Sequence, residues 1–140
     1  TKYWNEIFKP SMLLDPNLVK ALIATESSFN KDIQTKVKNP DKRAYGLMQL
    51  TGQTLKILRD EKGELKDHLV NLSKVDAMNP TLNIAAGVRW LFRKYEIVIR
   101  NTPDATWHKV IMKYKGYKTL QHPQMKKLIN LHKQLQKPRN

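Results

Sequence analysis

The sequence has no cysteine, only five glycines, and fewer than half as many acidic as basic side chains. Without cysteine there is no disulfide framework, no thiolate metal site and no cysteine nucleophile. The glycines form neither a Gly-x-Ser-x-Gly elbow nor a phosphate-cradling loop, which removes two large classes of hydrolase and nucleotide-binding protein. No His-Glu-x-x-His spacing occurs, and His68, His108, His122 and His132 stand far apart along the chain. Neither a metal site nor a cofactor is therefore expected. Long apolar runs are also missing. The longest, Leu18 to Ala24, is broken by Lys20, far short of the ~20 residues a membrane span needs. The first residues, Thr1 to Glu6, hold no apolar signal-peptide core, so any leader or upstream domain would lie outside this sequence.

What is present is an ordinary globular composition, 40% hydrophobic and 27% charged over 140 residues. That suits one domain over residues 1–140, large enough to bury a core. The charge is less ordinary. Twenty-six Lys and Arg against 12 Asp and Glu leave a formal net charge of +14, with pI near 10.0. Such a field favours polyanions, whether nucleic acid, anionic lipid or a cell wall bearing carboxylates and phosphates, and charge does not choose among them. A solvated basic surface that only keeps the protein soluble fits equally well.

Helix signals recur along the chain and strand signals do not. Asp15-Pro16 supplies an N-cap and a first-turn proline for a helix to about Ser27. Thr51 or Thr54 opens a second, ending near Gly63. After Asn79-Pro80, Ile84, Val88, Leu91, Tyr95 and Val98 recur every three or four residues, widened by Phe92 and Ile99, which predicts a long, deeply buried helix. Thr102-Pro103 is expected to cap another, with Trp107, Ile111 and Tyr114 on one face. His122-Pro123 opens a last, basic helix over about 122–136, carrying Met125, Leu128, Ile129, Leu131 and Leu135. Residues 30–45 lack apolar periodicity, and a loop of that length in a compact domain is usually functional or mobile. The fold class is mainly α.

One carboxylate occupies an odd position. With Leu18 at zero on a wheel advancing ~100° per residue, Leu22 falls at roughly 40°, Glu26 at about 80°, Val19 at 100° and Ile23 at 140°. Glu26 thus lies within the apolar stripe, at the helix C-terminus. Desolvation and the negative end of the helix dipole both oppose ionisation there. A carboxylic acid still protonated near neutral pH is what acid-assisted glycoside cleavage needs. The competing reading turns Glu26 outward at the helix end, to pair with a nearby lysine such as Lys31.

The neighbouring residues favour the first reading. Glu26-Ser27-Ser28-Phe29-Asn30 is followed by Tyr45-Gly46-Leu47-Met48-Gln49-Leu50-Thr51 with Thr54 behind it. Asn83-Ile84, Gly87, Leu91 and finally Tyr114-Lys115-Gly116 come later. This ordered set, over roughly residues 16–118, resembles the soluble lytic transglycosylase family of the lysozyme-like superfamily. The resemblance implies an α+β lysozyme-like fold with a substrate groove and a short hairpin in the 30–45 region. It also implies an extracytoplasmic enzyme whose partner is peptidoglycan; a monomer is expected, with no nucleic acid and, from the short apolar runs, no membrane span. Glu26 matches the family's single catalytic carboxylate. It would protonate the glycosidic oxygen between N-acetylmuramic acid and N-acetylglucosamine. As the conjugate base it would then take the proton of the muramyl 6-hydroxyl, leaving a 1,6-anhydro product. The substrate's N-acetyl group stabilises the intermediate, so the usual second carboxylate is not obligatory.

The resemblance assigns further roles, each with a plainer alternative. Tyr114 matches a tyrosine that hydrogen-bonds the catalytic carboxylate, and it also suits a core position beside Ile111 and Trp107. Gln49 matches a sugar-binding amide, and an amide capping a backbone turn reads equally well. Ser27 lines the groove or caps the helix end. Met48 belongs to the substrate-binding set by motif, while with Leu47 it reads as core. Thr51 and Thr54 join that set but also read as N-caps. Gly46 serves the backbone and Asn83 is structural.

The chain departs from the family pattern at Lys115, where asparagine is usual and a cation toward muramyl peptide carboxylates or an altered specificity is implied. The 30–45 loop is longer and more basic than usual, and none of the extra modules of other members is expected within these 140 residues. A hydrolytic lysozyme on the same fold, with Asp32 or Asp41 holding a water, is the nearer alternative. A non-catalytic basic module binding nucleic acid or wall is the more distant one.

Overall fold

The computed structural model describes residues 1–138. Their order is α1 (Lys2–Phe8), α2 (Pro16–Ser27), β1 (Ala44–Tyr45), β2 (Leu50–Thr51), α3 (Gly52–Arg59), α4 (Pro80–Asn101), α5 (Trp107–Lys115) and α6 (Pro123–Gln136). Short 3-10 turns lie at Pro40–Lys42 and Asp76–Met78. The chain is mainly helical with one small antiparallel sheet, as a lysozyme-like α+β fold requires. It divides into two compact units, one formed by residues 1–25 and 91–140, the other by residues 26–90. No helix among the described residues is long and apolar enough to cross a membrane.

The first unit is organised around aromatic rings. Phe92 is fully buried. It stacks on Phe8 at 5.1 Å and meets the edge of Trp107 at 5.2 Å, while Tyr95 stacks on Trp107 at 4.6 Å. The Trp107 indole N–H donates to the Met12 carbonyl at 2.7 Å, giving a buried polar group its partner. Asn5 exchanges two hydrogen bonds with the Leu14 backbone, which fixes the segment between α1 and α2. Helix α1 was not foreseen. At seven residues it is too short to show helical periodicity, and its stability comes from seating Trp4 and Phe8 in the aromatic cluster.

Two expectations are corrected here. Thr102-Pro103 does not open α5. The Thr102 N–H still bonds back to Val98, Ala105 turns onto Thr102, and Thr106 is the N-cap, its side chain accepting from the Lys109 N–H. The second concerns the histidines. On α6 the buried stripe runs Met125, Leu128, His132, and Leu135 is exposed. His132 Nε2 lies 2.8 Å from Asp15 Oδ2, and His132 Nδ1 lies 3.1 Å from His108 Nε2. Two of the four histidines are therefore brought together, in a chain that ends on a carboxylate and pins α6 to α5 and to the start of α2.

This chain makes stability pH-dependent. Burial, then the charges of His132 and Lys133, push the His108 imidazole below its ordinary value of 6.5. The unfolded chain thus binds the proton more readily, and stability falls as pH drops below about 6.5. Partial desolvation pushes Asp15 up, but the bonds from His132, the Asn17 amide and Gln136 outweigh it and hold the carboxyl below 3.8. That contribution is present above 3.8 and is lost as pH falls through the depressed folded value. Urea midpoints should therefore decline between pH 7 and pH 5, and His108→Gln should flatten that decline.

The second unit packs Tyr45, Leu50, Leu55, Leu58, Leu65, Leu72, Ala77 and Ala86 into one cluster. Helix α3 begins at Gly52 with Thr51 as its N-cap, the Thr51 hydroxyl accepting from the Thr54 N–H at 3.1 Å. It stops at Arg59, short of Gly63, because the Asp60 carboxylate takes the Lys62 N–H and Gly63 turns back onto the Asp60 carbonyl. The hairpin lies at 44–51, paired Ala44 with Thr51 and Tyr45 with Leu50. The 30–45 loop joins it through an isolated bridge from Gln34 to Tyr45 and through bonds that link Thr35 with Ala44 and Ile33 with Gly46. Within α4, the half in this unit buries Asn83, Ala86, Gly87 and Val88, whereas Ile84 is only half-buried. Small and polar side chains, which hydrophobic periodicity does not register, line the inner face.

Candidate active site

Helix α2 starts where Asp15 caps it, its carboxylate accepting the Asn17 N–H at 2.9 Å. Leu18, Val19, Leu22 and Ile23 are all buried, as the wheel requires. Glu26 follows in the last turn, half-buried and engaged with neighbouring groups. Ser27 is buried. Lys31 pairs with Asp32 at 2.9 Å on the surface.

The helix then ends abruptly. Ser28 (φ 51°) and Phe29 (φ 62°) both adopt the left-handed conformation that side chains other than glycine disfavour. Each costs on the order of 1 kcal/mol or more. The Asn30 N–H returns to the Ser27 carbonyl, and the Asn30 side chain accepts from the Asp32 N–H. Phe29 is left 60% exposed beside this turn.

The second motif segment is the hairpin turn. Gly46 has φ 71° and Gln49 φ 53°. The Ile33 carbonyl accepts the Gly46 N–H at 2.8 Å and the Gln49 Nε2 at 3.4 Å, while Nε2 also donates to the Gly46 carbonyl at 2.9 Å. Ile33 in turn bonds back to Asn30. A backbone path therefore ties the exit of α2 to the turn that carries Gln49. Among the described residues, four non-glycine positions have positive φ, and Ser28, Phe29 and Gln49 are three of them. Strain is concentrated in the two motif segments.

Asn83 holds the turn from behind. Fully buried, its Oδ1 accepts the Met48 N–H at 2.8 Å, and its Nδ2 donates to the carbonyls of Tyr45 at 2.8 Å and Ala77 at 2.7 Å. Met48 is completely buried and Leu47 nearly so. Met48 occupies the space that a side chain at Gly87 would need. A Cβ at Gly46 would lie 2.5 Å from Asn83 Nδ2 and 2.8 Å from the Ala77 carbonyl oxygen, in a backbone region hostile to it. Gly46→Ala should therefore cost about 2–3 kcal/mol, read as a lowered denaturation midpoint. Thr54 is buried, and the Thr51 hydroxyl donates to its Oγ1 at 2.9 Å.

Glu26, Ser27, Met48, Gln49, Thr51 and Thr54 all belong to the second unit. Tyr114 and Lys115 belong to the first, in the last turn of α5, and both are half-buried and engaged. Gly116 ends that helix at φ 78°, its N–H returning to Lys113 and Met112. The Lys115 ammonium stands 5.9 Å from the centre of the Tyr117 ring, which itself stacks on His122 at 3.7 Å. Arg89, nearly fully buried with Nε on the His68 carbonyl at 2.9 Å, was not anticipated. A lone arginine in a helix gives no periodic signal.

No solved structure matches the chain. Over 88 residues, 59% of the chain, it is 34% identical to a "Peptidoglycan-binding-like protein" of Escherichia coli O157:H7, and that match spans 48% of the relative, about half its length. The family described as "Transglycosylase SLT domain" matches residues 4–123, a span that takes in every motif segment from Glu26 to Gly116, and the chain belongs to that family.

Proposed function

We propose that this protein is a lytic transglycosylase that cleaves the bond between N-acetylmuramic acid and N-acetylglucosamine, with Glu26 as its acid and then its base. Membership of the SLT domain family supports a peptidoglycan-cleaving function of this type. The observation that carries the residue assignment is the concentration of left-handed, non-glycine backbone directly after Glu26 and at Gln49. Such strain persists where the surroundings fix a geometry for use, and it clusters at catalytic sites.

In this reading Glu26 donates its proton to the glycosidic oxygen and then accepts the proton of the muramyl 6-hydroxyl as that oxygen attacks the anomeric carbon. Tyr114 orients the carboxylate. Ser27 and Gln49 contact the sugar, Met48 shapes the turn beneath it, Thr51 and Thr54 hold the start of α3, and Lys115 meets the peptide carboxylates. The substrate lies outside the cytoplasm, and the enzyme works there as a monomer on glycan strands.

A specific observation weighs against the hydrolytic alternative. Asp32 is 70% exposed and paired with Lys31, and Asp41 is paired with Lys56 at 2.6 Å on the surface. A carboxylate that activates a water acts from beside the scissile bond, whereas both of these stand on the surface, each held to a lysine. The test is the product mass spectrum of digested peptidoglycan. Muramyl ends lighter by one water support transglycosylation, and reducing ends refute it.

A further inference from the structure

We infer that a lysine-rimmed cavity on the first unit is a docking site for the headgroup of an anionic phospholipid. The cavity, about 440 Å³, lies beside the C-terminal half of α4 and along α5. Lys94, Lys109, Lys113 and Lys118 stand around it, Ile97, Val98 and Met112 supply apolar lining, and no acidic side chain among the described residues lines it. Lys109, Lys113 and Lys118 are exposed.

Helix electrostatics do not explain this arrangement. Lys113 lies in the last turn of α5, where the negative end of the dipole welcomes a cation. Lys109 lies in the first turn, where the dipole opposes one and where no acidic residue is present. Bringing the exposed ammonium groups of Lys109, Lys113 and Lys118 to one concavity is unfavourable until an anion joins them, and lysine serves phosphate well as a point charge. The apolar lining selects among anions. A free phosphate gains nothing from Ile97, Val98 and Met112, and a double helix, which presents phosphates outward over stacked bases, gains little. A phospholipid offers phosphate to the rim and glyceryl and acyl carbons to the apolar wall. A volume of 440 Å³ falls within the range of small-molecule sites. This site is independent of glycan cleavage.

The experiment is sedimentation of the full chain with vesicles of phosphatidylcholine containing phosphatidylglycerol, compared with vesicles of phosphatidylcholine alone. Binding is expected only to the anionic vesicles. The pair Lys109→Glu and Lys113→Glu should weaken it at least about tenfold. The pair Lys36→Glu and Lys38→Glu, which alters net charge equally at exposed positions of the 30–45 loop, should leave it within about twofold. The neutral pair Lys109→Gln and Lys113→Gln, less perturbing to the fold, should fall between. Equal losses from both charge-reversed pairs, no binding to anionic vesicles, or displacement by equimolar inorganic phosphate or single-stranded DNA would each overturn the inference.

Discussion

Glu26→Gln is expected to stop the release of soluble muropeptides from peptidoglycan while leaving the protein folded. The substitution keeps the size and shape of a half-buried side chain in the last turn of α2 and removes only its proton chemistry. General acid–base catalysis is worth roughly 10²–10⁴-fold. One residue serving both steps should place the loss at the upper end, at least about 10³-fold in turnover. Thermal unfolding of the variant should overlay the parent, so that lost activity cannot be mistaken for lost structure. Glu26→Asp, which retains the acid but withdraws it by one methylene, should recover only a small fraction, because reacting atoms must stand about 3–3.5 Å apart. Near-parental activity in Glu26→Gln would sink the assignment.

Asn83→Leu is expected to be the most destabilising of the single substitutions considered. It removes three buried hydrogen bonds at once and leaves the Met48 N–H and the Tyr45 and Ala77 carbonyls without their partner. Stranded buried polar groups cost about 1–3 kcal/mol each. Allowing for relaxation and water entry, the total should be about 3–5 kcal/mol, at the exceptional end for a point change. Asn83→Asp should fare little better, since a carboxylate there would face two carbonyl oxygens in place of donating to them. Calorimetry should show a fall in Tm on the order of 10 °C. A shift of only a degree or two would mean that the hairpin turn is held by other contacts.

These two residues also mark how far the sequence could be read. Glu26 stood out as a candidate because a carboxylate inside an apolar stripe contradicts its surroundings, and the ordered motifs around it named a role for it. Helices α2, α4 and α6 were legible from caps and periodicity, signals that act over a few residues. Asn83 was readable only as structural, because a hydrogen-bonding hub depends on segments 35 and 38 residues away. The Asp15–His132–His108 chain was hidden for the same reason, its first link joining residues 117 apart. Helix α1 was missed since its order derives from aromatic neighbours on α4, and the start of α5 was misplaced because Thr102 and Thr106 are equally good caps by type. Strain at Ser28 and Phe29 carries no compositional mark, as neither is glycine.

The division of the chain has a consequence for biosynthesis. Residues 26–90 form one unbroken stretch, complete as soon as α4 is half made, whereas the other unit is assembled from the segments on either side of it. Its defining contacts, Met12 to Trp107 and Asp15 to His132, span 95 and 117 residues. Chain entropy delays such closures, and domains fold as their segments leave the ribosome. The central stretch is thus free to fold during translation, while α1 and α2 wait with Trp4 and Leu18 uncovered until α5 and α6 have been made. A chaperone that shields α1 and α2 should reduce aggregation during that interval.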